Sequence, residues 1–160
     1  SAFLLDRGLK TFELRAQAMA RGAQAVAEFL EGHPGVSRLF YPGLASHPGH
    51  ETASRQMRRG FGGMMSFDVG SSPDDAMRFI RELGSIYHAV SLGSTESLIC
   101  IPYLTTMLYL PHERRTAFGV SQNTVRLSVG IENPDKLVED LSLALDKIQR
   151  RSPGEKLRGA

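Results

Sequence analysis

The sequence holds a single cysteine, Cys100, which excludes an internal disulfide framework and suits a reducing compartment. It has no tryptophan, and its apolar runs are only a few residues long, so no segment is a candidate membrane span. Charge of one sign is missing too. The formal net charge is +2, with both signs mixed along the chain. The basic end (Arg150, Arg151, Lys156, Arg158) attracts anions weakly but carries nothing that reads bases or tracks a phosphate backbone, so nucleic-acid binding is not expected. No glycine-rich phosphate loop of the usual spacing is present. Gly60-Phe61-Gly62-Gly63 precedes a strand pattern instead of opening a helix, which removes the dinucleotide and P-loop readings. Ser1 to Arg7 lacks the basic start, apolar stretch and small-residue cleavage site of a signal peptide, so the expected setting is the cytoplasm. The chain opens on an apolar helical pattern without an initiating Met, which either natural processing or cutting from a longer chain would produce.

What is present begins with a helical stripe. Leu5, Leu9, Phe12, Ala16, Met19, Ala23, Val26 and Leu30 recur at alternating spacings of four and three, placing them along one face of a long helix. Gly8 and Gly22 each weaken it by about 1 kcal/mol relative to Ala, so packing must hold it. Gly32, His33 and Pro34 end it. Val36 to Tyr41 reads as a short strand, and a short helix runs through about Met57. Met64 to Val69 alternates as a strand with Met65, Phe67 and Val69 on one face. Ser72 and Pro73 open a helix that turns Ala76, Phe79, Ile80 and Leu83 inward. Tyr87 to Leu110 reads as a strand, a turn and an irregular buried stretch, and Pro111 to Arg115 starts a short helix. Thr124 to Gly130 is the clearest strand, and Asn133 caps a last helix with Leu137, Leu141, Ala144, Leu145 and Ile148 as its buried stripe. No internal repeat interrupts this order. It implies one α+β two-layer domain over residues 1–150: a small, mainly antiparallel sheet with helices on one face, its other face left for something else to cover. Residues 151–160 are expected to form a mobile tail.

Few residues suggest chemistry. Arg126 lies mid-strand on the polar face, where its planar fork matches a carboxylate. Spacing alone favours a plainer role, as an exposed strand arginine or a structural partner of Glu96 or Glu132. Ser91-Leu92-Gly93-Ser94-Thr95 is a small-residue turn able to offer N–H groups and hydroxyls to an anion, a weak signal by itself. His47, His50 and Glu51 are bunched in one turn with no partner cluster elsewhere, which fits polar residues at a helix start better than a metal site. Cys100, within Leu98-Ile99-Cys100-Ile101, is most simply a small buried hydrophobe.

Several segments, in order, resemble one family. They are Ala2-Phe3-Leu4-Leu5-Asp6-Arg7-Gly8-Leu9-Lys10-Thr11, Tyr41-Pro42-Gly43-Leu44 with Ser46-His47-Pro48, and Gly60-Phe61-Gly62-Gly63-Met64 with Ser66-Phe67. Ser91-Leu92-Gly93 with Glu96-Ser97-Leu98 follows, and last Val125-Arg126-Leu127-Ser128-Val129-Gly130-Ile131-Glu132. The pattern is similar to the cystathionine γ-lyase, cystathionine γ-synthase and methionine γ-lyase group of fold-type I pyridoxal-phosphate (PLP) enzymes, and runs from about Ala2 to Ile148.

The resemblance implies that residues 1–150 form the C-terminal, substrate-recognising domain of such an enzyme. Arg126 would clamp the substrate's α-carboxylate, assisted by Ser91 and the backbone around Leu92, which reverses the plainer reading of Arg126. Val90 falls at a specificity position, where an apolar residue looks more like methionine γ-lyase. Thr106 falls where the family has a Thr-His pair, although Met107 replaces the histidine here. PLP chemistry needs a lysine amine, a carboxylate facing the pyridinium nitrogen and a phosphate cradle. None of Lys10, Lys136, Lys147 and Lys156 lies in a Ser/Thr-rich turn suited to a Schiff base. The resemblance places that lysine in a large PLP-binding domain upstream, absent from this chain, so the fragment alone is expected to be inactive. It also implies a small amino-acid substrate undergoing elimination or replacement, and a homotetramer. The competing class is a free-standing, non-catalytic binding or oligomerisation domain.

Overall fold

A computed structural model describes residues 2–150; the expected mobile tail, 151–160, lies outside the described residues. The long N-terminal helix is divided at Thr11 into α1 (Ala2–Lys10) and α2 (Phe12–Leu30). Ala23, Val26 and Leu30 are buried in the core, but Leu5, Leu9 and Phe12 of the same stripe are exposed. Nothing in α1 is buried, so no packing offsets the weakness that Gly8 introduces, and Thr11 leaves helical geometry. The Arg15 guanidinium bridges the break by donating to the Gly8 carbonyl at 2.7 Å.

Five short strands follow: β1 (Val36–Phe40), β2 (Met64–Val69), β3 (Tyr87–His88), β4 (Leu98–Cys100) and β5 (Thr124–Ser128). They lie in the order β1-β2-β5-β4-β3, antiparallel except where β3 joins β4 in parallel. Between them run α3 (His50–Gln56), α4 (Pro73–Glu82) and α5 (His112–Ala117), with α6 (Pro134–Gln149) last. α4 and α6 begin where Ser72 and Asn133 accept hydrogen bonds from Asp75 N–H and Asp135 N–H.

Register sets two faces. Met65, Phe67, Val125, Leu127 and Ile99 bury one face with Leu30, Phe79, Leu137, Leu141 and Leu145 of the helices. The opposite face carries Ser66, Arg126 and Cys100 in one cross-strand row and Met64, Ser128 and Leu98 in the next. It is not left bare. Leu98, Cys100 and Ser128 are buried, as is Asp68, which takes Arg38 Nε at 2.6 Å and the Thr124 hydroxyl at 2.5 Å. Short strands force long connections, and these fold back over the sheet, leaving Ser66 and Arg126 half-buried and Phe40 exposed.

Two sequence expectations change here. β4 sits inside the stretch read as irregular: three residues buried on both faces show no alternation to detect. The same stretch was expected to be buried to its end, yet Leu104, Leu108 and Tyr109 are exposed. A short 3-10 turn at Pro102–Leu104 follows β4, and beyond its buried Pro102 the chain emerges to the surface. Among the described residues, no helix is long and apolar enough to cross a membrane.

Candidate functional site

Arg126 is central in β5, and its strand neighbours Val125 and Leu127 point into the core. Alternation therefore sends its side chain to the other face. There Nη2 donates to the carbonyl of Val90 at 2.7 Å and to that of Ser91 at 3.2 Å. Nε is buried with no hydrogen-bond partner. Among the described residues no carboxylate pairs with this guanidinium.

The two acids considered as structural partners are engaged elsewhere. Glu132 accepts from Ser97 N–H at 2.5 Å and from the Ser97 hydroxyl at 2.9 Å. Glu96 accepts from the Ser94 hydroxyl, and its carboxyl is held below its ordinary value by that bond first, then by its own N–H and by Thr95. Arg126 thus presents an oriented cation that no counter-charge among the described residues meets.

The segment facing it holds Val90, Ser91 and Leu92, all exposed. Val90 and Ser91 meet Arg126 through their carbonyls, not their side chains. Gly93, at φ +72°, turns the chain so that its N–H reaches the Ser128 hydroxyl at 3.0 Å. Thr106 is exposed in the turn after Pro102–Leu104, and no hydrogen bond among the described residues joins it to Arg126. That turn is shaped by Arg115, which donates to the carbonyls of Tyr103, Leu108 and Leu110 and lies over the Tyr103 ring. His47 and His50 are held locally: His47 Nδ1 accepts from Gly49 N–H, and His50 Nδ1 lies 2.9 Å from the Pro42 carbonyl.

Sequence reasoning weighed Glu132 as a partner of Arg126 but missed Ser97, Ser128 and Arg115 as members of this region. A signal for Ser128 was present, because it falls at even spacing from Arg126 within one quoted motif.

The family model for Cys/Met metabolism PLP-dependent enzymes matches residues 1–146. The chain belongs to that family. A cystathionine gamma-lyase of Bacillus subtilis (strain 168) is 46% identical over 147 residues, covering 92% of this chain and 38% of that protein. A solved cystathionine gamma synthase from Xanthomonas oryzae pv. oryzae, in complex with aminoacrylate and cysteine, superposes with a TM-score of 0.88 at 41% identity. That match covers 93% of this chain and 38% of that one. An O-acetylhomoserine (thiol)-lyase structure from Campylobacter jejuni, containing N'-pyridoxyl-lysine-5'-monophosphate, gives a TM-score of 0.87 at 34% identity, covering 91% of this chain and 34% of that one. The chain spans less than two fifths of the length of these relatives.

The described lysines are placed at the surface, away from any site for the family's cofactor. Lys10 is exposed and paired with Asp6 at 3.0 Å, and Lys147 is paired with Glu82 at 2.7 Å. Lys136 is exposed at the start of α6. Two surface cavities, of about 510 and 340 Å³, contain no lysine in their linings. A Schiff-base lysine needs a desolvated amine next to the ring it binds, and none of the described lysines offers one.

Proposed function

We propose that this chain is the substrate-recognising C-terminal part of a PLP-dependent lyase or transferase acting on a sulfur-containing or O-acylated amino acid. Arg126 grips the α-carboxylate of that amino acid, with Ser91 and the backbone around Leu92 assisting. Val90 and Thr106 line the side-chain end, and the apolar Val90 suits a methionine γ-lyase-like substrate. PLP is held by further residues of the same polypeptide, and the whole enzyme works as a cytoplasmic homo-oligomer.

One observation carries this reading: the Arg126 guanidinium is set in place by two carbonyls and, among the described residues, pairs with no acid. A substrate carboxylate would supply the missing charge through charge-assisted hydrogen bonds of about 1.5–3 kcal/mol each.

The test uses the full-length, PLP-loaded enzyme. Arg126→Ala should raise KM for the amino-acid substrate roughly 10- to 100-fold. Arg126→Lys should recover only part of this, because an ammonium cannot reproduce the planar fork. An unchanged KM removes Arg126 from the role. Mixed with PLP, the 160-residue chain alone should give no visible absorption band that depends on one of its lysines. Such a band would overturn the assignment of the cofactor to other residues.

A further inference from the structure

β5 and the residues after it form one side of a zipper. Residues 126 and 128 in β5, and 130 and 132 just beyond it, each engage the 90–97 segment. Arg126 donates to the carbonyls of Val90 and Ser91. Ser128 accepts Gly93 N–H at 3.0 Å. Gly130 N–H donates to the Ser97 hydroxyl at 2.9 Å, and that hydroxyl donates in turn to Glu132 at 2.9 Å. Glu132 also takes Ser97 N–H, and between these rungs Ile131 N–H donates to the Thr95 carbonyl at 2.9 Å.

The contact is close. A Cβ at Gly130 would stand 2.2 Å from the Thr95 carbonyl oxygen and 2.7 Å from the Glu96 carbonyl carbon, so the two backbones touch there. Ser128 is 1% exposed and Ser97 is fully buried, so these hydrogen bonds are sheltered from water. Among the described residues, the two carbonyls are the hydrogen-bond partners that orient Arg126, and both belong to the segment that the other rungs hold.

We propose that Ser128 and Glu132 are positioning residues for substrate recognition: they fasten the 90–97 segment along the arginine strand and so set the direction of the Arg126 fork. This rests on Arg126 binding the substrate carboxylate, and deepens it. The effect reaches the substrate through the loop. Losing the Ser128 rung frees Gly93, whose φ of +72° is accessible to glycine without strain. Val90 and Ser91 then shift their carbonyls, and the guanidinium follows them.

The experiment is a double-mutant cycle in the full-length, PLP-loaded enzyme. Ser128→Ala should raise KM for the amino-acid substrate about five- to tenfold with kcat within about twofold, matching the loss of one sheltered hydrogen bond. Arg126→Ala should raise KM as well, and adding Ser128→Ala to it should raise KM no further. A role limited to folding would lower the melting temperature and leave KM of the loaded enzyme unchanged. If Ser128→Ala does not fold, Glu132→Gln, at the less buried end, is read in the same cycle. KM within twofold of the parent, or effects that simply multiply with those of Arg126→Ala, overturns the positioning role. If Arg126→Ala alone leaves KM unchanged, the carboxylate clamp fails first.

Discussion

Arg126 and Tyr41 both hold polar groups against buried surroundings, and they differ in what is left unmet. Tyr41 is fully buried, and its hydroxyl donates to the carbonyls of Gly62 at 3.0 Å and Ala20 at 3.4 Å, tying the Gly60–Gly63 connection to α2. Burial, and secondarily the negative charge of Glu28, pushes its pKa up to about 12. An unfolded tyrosine titrates near 10. The folded state therefore keeps its proton longer, and the stability this represents is present below about pH 10 and lost as pH rises toward 12. Urea unfolding of this chain should show stability falling across that window. Tyr41→Phe should be about 1 kcal/mol less stable at neutral pH and show a shallower fall. Equal slopes in the two proteins would mean that another group controls the alkaline loss. At this scale the direction of Arg126 was legible, because alternation with Val125 and Leu127 requires it. Its partners were not, since they are carbonyls some 35 positions upstream; backbone groups leave no trace in residue identity.

Elements were legible where local chemistry closes them. α4 starts at Ser72, whose hydroxyl accepts from Asp75 N–H while the Asp75 carboxylate accepts from Ser72 N–H, so both ends of the capping box are made. Ser72→Ala should lower the unfolding free energy by about 1 kcal/mol in a urea titration, with no change expected in the denaturant slope. Undiminished stability would show that packing of Ala76, Phe79 and Ile80 alone holds the helix. β2 and β5 were legible by alternation. β4 was not, because burial on both faces erases the period that marks a strand. The N-terminal helix was legible as a stripe but not as two pieces, since its division at Thr11 reflects the absence of packing on α1.

Over the whole molecule the stripe acquires a different meaning. Its C-terminal half is core, and its N-terminal half leaves Leu5 and Leu9 66% and 62% exposed, with Phe12 beside them. Apolar surface of that kind marks an interaction face. The 160-residue chain should therefore self-associate as its concentration rises, seen as an increasing mass in sedimentation velocity. Leu5→Glu together with Leu9→Glu should return it toward the monomer without altering its melting temperature, because neither residue packs in the core. A chain that stays monomeric, or a variant with the same mass distribution, would show that this face is inert.

The sequence by itself determined the α+β class, the family, the caps of the main helices and the face to which Arg126 belongs. Each of these follows from periodicity, from side chains acting on their own neighbours, or from ordered motifs. Only the tertiary structure decided that Glu96 and Glu132 are occupied elsewhere, that the 90–97 segment lies along β5, and that the Thr95 and Glu96 backbone leaves no room for a Cβ at Gly130. Those facts depend on backbone atoms from distant parts of the chain meeting at van der Waals distance. No local rule encodes such a meeting.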